Sequence, residues 1–175
     1  NVQIYEGTLV KEYFNYDESV KNRFIISNPK IDTSSLRVDV YPSNQSSGKK
    51  SFSQADNILD IDASSAVYFI EEVNDEKYEI TFGDGVFGTK LETGNYIEVS
   101  YLLTDGPTTN GVSNFRFNGI LVDANNAKYP TTVDVTNVTT SDGGSDIETV
   151  DNIKFNAPRY FGTQDRAVTA EDFKP

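Results

Sequence analysis

The sequence predicts a mainly β protein with a smaller α/β segment, an α+β arrangement. An antiparallel β domain over residues 1–105 is expected to lead into a mixed strand/helix domain over 106–175, truncated at its C-terminal helix. Three observations point there. Apolar residues alternate with polar ones in several short runs. The 10 Tyr and 11 Phe sit inside those runs rather than being scattered, which separates the chain from aromatic-poor disordered sequences. A helical spacing of apolar residues enters only after residue 140.

In chain order, Phe24-Ile25-Ile26 is a short β candidate of apolar, β-branched residues. Leu36, Val38 and Val40 alternate with Arg37 and Asp39, which predicts a half-buried strand stopped at Pro42. The stretch from Pro42 to Gln54 carries Asn44-Gln45-Ser46-Ser47-Gly48-Lys49-Lys50 at its tip, predicting a polar hairpin or mobile excursion. Val67-Tyr68-Phe69-Ile70 is a further strand. Tyr78, Ile80 and Phe82 alternate with Glu79 and Thr81, and Ile97, Val99, Tyr101 and Leu103 with Glu98 and Ser100. Thr104 to Gly111 has the turn chemistry of a domain boundary. Ile120-Leu121-Val122 and Thr132-Val133-Asp134-Val135 are short strands beyond it.

Ser141-Asp142-Gly143-Gly144 breaks the strand pattern, and Ser145-Asp146-Ile147-Glu148 has the form of a capping box. Ile147, Val150, Ile153 and Ala157 then make a helical stripe that Pro158 is expected to close. The helix near 146–156 is expected to pack on a strand around 132–139 through Ile147, Val150 and Ile153. A second helix start follows at Thr169, an N-cap with Glu171 and Asp172 in its first turn. The start without Met and the cut-off final helix read as a fragment of a longer protein.

Composition narrows the chemistry. Lys+Arg number 15 and Asp+Glu 27, a net charge of −12. That balance opposes binding to nucleic-acid phosphates or to an anionic membrane surface. There is no Cys, His, Met or Trp. Disulfides, thiol nucleophiles, zinc knuckles and imidazole general bases are therefore excluded. No cofactor is expected. Phe82-Gly83-Asp84-Gly85-Val86-Phe87-Gly88 is the densest glycine cluster, but a strand follows it, where a phosphate loop needs a helix. It predicts a tight β connection with positive-φ glycines and Asp84 bonding local amides. Acids near glycines, and Asp60 with Asp62, fall short of calcium-loop spacing and read as turn formers. Arg159 and Arg166 stand among aromatics and acids, where a guanidinium can pin one segment to another by bidentate pairing.

Ala157-Pro158-Arg159-Tyr160 followed by Arg166-Ala167-Val168-Thr169-Ala170-Glu171-Asp172-Phe173 resembles the signature of the baseplate J-like, baseplate wedge family of contractile-tailed (T-even-type) bacteriophages. Ser141 to Glu148 resembles that family's Gly-Gly-x-Asp-x-Glu segment. Phe82 to Gly88, with Gly94 and the strand from Ile97 to Tyr101, is similar in kind. The four matches occur in the family's order, although Asn110-Gly111-Val112 departs from its more common Gly-Asn-Val.

The resemblance implies a structural protein of the virion, assembled in the host cytoplasm, with no catalytic residues. It further implies partners among other baseplate wedge proteins and self-association, as a dimer within a wedge and a ring of wedges around the hub. Arg159, Arg166, Thr169, Asp172 and Asp84 are the structural or interface candidates. The residues leave open two alternatives from other classes: a virion-associated carbohydrate-binding or adhesin domain, and a polysaccharide depolymerase using paired carboxylates.

Overall fold

Alternation of apolar and polar residues becomes a curled, seven-stranded sheet. A computed structural model describes residues 3–55, 61–129 and 133–163, with side chains described to residue 158. The strands are β1 (Thr8–Asn15), β2 (Phe24–Ile25), β3 (Ile31–Tyr41), β4 (Lys50–Gln54), β5 (Val67–Val73), β6 (Lys77–Phe82) and β7 (Tyr96–Leu103). Their order is β1-β7-β3-β4-β5-β6-β2. Beyond them lie a two-stranded ribbon of β8 (Leu121–Val122) with β9 (Lys128–Tyr129), and one helix, α1 (Val150–Thr163).

The mainly β expectation holds, with one departure from an all-antiparallel sheet: β4 pairs with β5 in parallel. Its cause is the course of β4. It runs antiparallel to β3 through Val38↔Phe52 and Val40↔Lys50, then leaves it and pairs Ser53 with Val67 and Gln54 with Tyr68. A strand that changes partner in this way turns a corner, and the sheet bends there.

That bend brings the two ends of the sheet, β1 and β2, together. No ladder joins them; side chains close the seam. The Glu12 carboxylate, pointing inward from β1, accepts from the Ser27 backbone amide (3.1 Å), the Ser27 hydroxyl (3.0 Å) and the phenol of Tyr101 on β7. Asn28 Nδ2 donates to the Tyr101 oxygen at 2.7 Å. Tyr101 is wholly buried, and burial is the main cause of its phenol pKa being pushed up to about 12. Nearly closing a sheet in this way hides most edge groups from other chains.

The interior is filled from both halves of the curl. Ile26, Val38, Ile80, Ile97 and Val99 are essentially inaccessible, and every residue of the buried core lies between Phe24 and Tyr101. Register puts like on like: Val38 opposes Val99, Val40 opposes Ile97, and Ile70 opposes Ile80. Four phenylalanines run edge to face across the interior, Phe14 to Phe24 to Phe82 to Phe52, with centroids 5.5–5.6 Å apart. Each such pair contributes about 0.5–1.5 kcal/mol beyond its buried area.

Ladder pairing between β3 and β7 is interrupted between Asp32 and Arg37. Polar side chains take over there. Asp32 accepts from Ser34, and the Ser35 hydroxyl donates to the Asp32 carbonyl while accepting the Leu102 amide at 2.9 Å. The serine thereby replaces the missing backbone acceptor.

Four expectations need correction. Residues 133–135 form no strand, and 130–132 lie outside the described residues. The helix does not start behind Ser145. Thr149 precedes it, its hydroxyl accepting the Asn152 amide (3.3 Å) and its carbonyl the Ile153 amide (2.9 Å). Glu148 instead accepts from Asn156 at 3.0 Å. Nor does Pro158 close the helix; α1 runs through it to Thr163. Finally, Ile147, Val150 and Ile153 do not pack on a strand: they are 50%, 64% and 45% exposed.

Candidate interaction surface

After β7 the chain makes a 3-10 turn over Gly106–Thr109 and then leaves the sheet. Residues 109–129 and 133–144 pair back on one another as the two legs of one long arm. Its cross-pairs are nested about a single turn: Asn110 with Gly144, Gly111 with Ser141, Ser113 with Asn137, Leu121 with Tyr129, Val122 with Lys128. At the tip, Asp123 accepts the Asn125 and Ala127 amides at 2.8 and 2.9 Å and the Tyr129 hydroxyl at 3.2 Å. The Ala127 and Asn125 amides hold its carboxyl below the usual aspartate range.

The base of the arm is a clasp. Asn110 grips Gly144 in both directions, Nδ2 donating to the carbonyl (2.8 Å) and Oδ1 accepting the amide (2.9 Å). Ser141 donates its hydroxyl to the Thr109 carbonyl (2.6 Å) and accepts the Val112 amide on the same oxygen (2.9 Å). Gly144 must be glycine, because a Cβ there would sit 2.3 Å from the Gly106 carbonyl oxygen. The Ser141–Gly144 breaker of the sequence is therefore a close backbone junction.

Beyond the clasp the arm has no core. No described residue from 105 to 158 is buried, yet Phe115, Phe117, Ile120, Leu121, Val122 and Val138 are carried there, each at least a third exposed. Phe115, Phe117, Val133 and Val135 line an open cleft between the two legs, with Arg116 and Asp134 beside them. Phe155 on α1 is 60% exposed. Monomeric proteins rarely display so many large apolar side chains along one element unless another surface covers them.

The body presents a different exterior. On the outer face of β1, β7 and β3, Tyr13 stacks on Tyr96 (5.4 Å, 10°) and Tyr41 leans toward Tyr96 (6.4 Å). Ion pairs Lys11–Glu98 (2.7 Å) and Lys49–Asp39 (2.6 Å) cross the same strands, and Arg23 binds Glu79 through two nitrogens. Such exposed pairs are screened by solvent and add little to stability.

Asp84 lies in the connection after β6. Its Oδ1 accepts the Val86 and Phe87 amides (2.8 and 2.9 Å), and those amides, Phe87 first, hold its carboxyl below the usual range. Gly85 and Gly88 take positive φ, and a Cβ on Gly83 would meet Gly88 backbone atoms at 2.3–2.4 Å. Gly88 also donates to the Asp62 carbonyl and Thr89 to the Ser65 carbonyl, locking two loops together. Asp62 itself accepts from Ser64 and Ser65, and Asp60 lies outside the described residues. Among the described residues no group of three or more acids is gathered to hold a metal ion, and no helix is long and apolar enough to cross a membrane.

Arg159 falls on α1, but its side chain is not among those described. Arg166, Thr169 and Asp172 lie outside the described residues. Of the five candidates, Asp84 is the one whose side chain is among those described. The feature missed from sequence is the arm; its signal was an apolar content in 112–138 spread over segments too short and too irregular for a sheet. Comparison with protein-family profiles and with characterised proteins finds no match to the chain.

Proposed function

We propose that this chain is a structural component of a phage tail baseplate wedge, working by protein–protein contact. In this reading it joins other wedge proteins and copies of itself in the ring around the hub, within the virion, and so supports sheath attachment and contraction. The observation that carries the reading is the arm: a clasped, outward-reaching element with large apolar side chains and no core beneath them. Two of the four family-like motifs serve it or its neighbour. Ser141 to Gly144 builds the clasp, and Phe82 to Gly88 builds the locked loop of the body. A chain without Cys or His and with Asp84 committed to backbone amides suits contact better than covalent or acid–base chemistry.

The test mixes the chain with candidate wedge proteins of a contractile phage at micromolar concentration and measures complex mass by light scattering. Association is expected. Phe117→Ser with Leu121→Ser should weaken it by about tenfold or more, as loss of apolar anchors does, while leaving the melting temperature of the body unchanged. Lack of any complex, with the circular dichroism of a folded sheet, would sink the proposal. One observation favours the adhesin reading: the Tyr13–Tyr96 stack, with Glu98 and Asp39 nearby on the same face, is an aromatic platform with polar flanks. Glycan binding by the isolated chain, lost in Tyr13→Ala, would support that reading instead.

A further inference from the structure

The arm contains two asparagine–glycine pairs, Asn110-Gly111 at its base and Asn118-Gly119 near its tip, and the structure treats them in opposite ways. In any such pair the side-chain carbon Cγ of asparagine lies within reach of the next backbone nitrogen. A following glycine leaves that approach unobstructed. Whether the pair reacts depends on what restrains the amide and the nitrogen.

At the base both are restrained. Asn110 Oδ1 accepts the Gly144 amide and Nδ2 donates to the Gly144 carbonyl, so Cγ faces across the arm. The nitrogen that would attack it, that of Gly111, donates to the Ser141 carbonyl at 2.8 Å. Near the tip neither restraint is present among the described residues. Asn118 is exposed, lies outside helix and strand, and among the described residues its side chain meets no hydrogen-bond partner. A Cβ on its successor Gly119 would crowd the Phe117 ring, at 3.0 Å from it.

We infer that Asn118-Gly119 is a self-modification site of the arm, and that the clasp keeps Asn110-Gly111 inert. The Gly119 nitrogen attacks Asn118 Cγ and forms a C–N bond. The Cγ–Nδ2 bond breaks, Nδ2 takes up the one proton that the Gly119 nitrogen loses, and it leaves as ammonia. Water then opens the five-membered succinimide. Cleavage of the new bond leaves an aspartate with the normal backbone; cleavage of the original peptide bond routes the backbone through Cγ as isoaspartate. No electrons change hands, and water is the sole co-reactant. Either product adds a negative charge on the residue between Phe117 and Gly119, both of which line the cleft with Arg116 and Asp134. Isoaspartate also lengthens one leg of a register-matched arm.

The test ages the whole chain in mildly alkaline buffer, folded and in urea, and reads each asparagine by peptide mass spectrometry with enzymatic isoaspartate labelling. In the folded chain most of Asn118 should convert while Asn110 remains an amide. In urea the two should convert at matching rates, because unfolding removes the clasp. Asn118→Gln, whose longer side chain disfavours the five-membered ring, should abolish conversion at that position. Matching conversion of both sites in the folded chain would overturn the inference. So would a folded chain in which Asn118 stays intact over a period that converts it in urea.

Discussion

Glu12 shows how much one side chain does when a sheet closes without a ladder. It is polar where its strand neighbours Val10 and Phe14 are apolar, and it stands between β1 and β2 with donors from Ser27, Asn28 and Tyr101. Glu12→Ala would leave the buried Tyr101 hydroxyl without its acceptor, and the expected loss is about 1–3 kcal/mol in urea denaturation. Tyr101 adds a pH signature of definite sign. Its folded pKa, about 12, lies above the ordinary phenol value of 10.0 that an unfolded chain would show, so the fold favours the protonated phenol. That contribution is complete below about pH 10 and disappears as pH rises from about 10 to about 12. Tyr101→Phe should flatten the alkaline fall in stability over that window, as read by denaturant titrations at successive pH values. Asp84 and Asp123 behave in the opposite sense. Amides lower their carboxyl pKa below 3.8, so their loops should loosen as pH falls below that value, which amide-proton NMR of Val86, Phe87, Asn125 and Ala127 would report.

At the scale of elements, the irregular places are held by specific groups and should fail individually. Ser35→Ala removes the acceptor of the Leu102 amide at the β3–β7 interruption, with an expected cost of about 1–3 kcal/mol measured by thermal or urea unfolding. Gly83→Ala forces a methyl into the Gly88 backbone and should separate the loop from its partner around Asp62, seen as faster hydrogen exchange at Gly88 and Thr89. Regular elements were legible in advance for a simple reason. In β3, β6 and β7 one face is buried and the other wet, so Val38, Ile80 or Val99 alternates with a polar neighbour. β1 escaped because its pattern is inverted in part: Glu12 faces the seam, while Leu9 and Tyr13 face outward, 64% and 49% exposed. β4 escaped because it contributes a single core residue, Phe52. Ile120 to Val122 and Thr132 to Val135 read as short strands, since periodicity records the capacity to be buried and not what does the burying; Leu121 and Val122 do pair, but both are exposed. The helix start was misplaced for a related reason. Ser145 and Thr149 both have capping chemistry, and the Gly106–Ser145–Gly144 contacts of the clasp occupy the first.

At the scale of the whole molecule, the buried core lies between Phe24 and Tyr101, and no described residue from 105 to 158 is buried. Native-state hydrogen exchange should therefore divide along the same line, slowest at Ile97, Val99 and Tyr101 and fastest across residues 113–138. Limited proteolysis is expected to cut first within the arm, leaving a resistant fragment that retains β1 through β7. The charge follows the same partition. On the arm Arg116 and Lys128 stand against Asp123, Asp134 and Asp142, close to balance, while the body carries the larger excess of Asp and Glu. A partner bringing Lys and Arg would be drawn to the body by long-range attraction, and its association with this chain should weaken as salt rises.

The pairing of β1 with β7 has a consequence for how the molecule comes into being. Thr8 meets Leu103 and Asn15 meets Tyr96, so the first strand of the sheet completes its ladder only with the last. On a ribosome, β1 must wait unpaired while every strand between them is made, and closing so long a loop is slow. The arm follows β7 directly and therefore emerges onto a sheet that is already able to close. Synthesis order thus protects a sticky element from being present before the body that carries it.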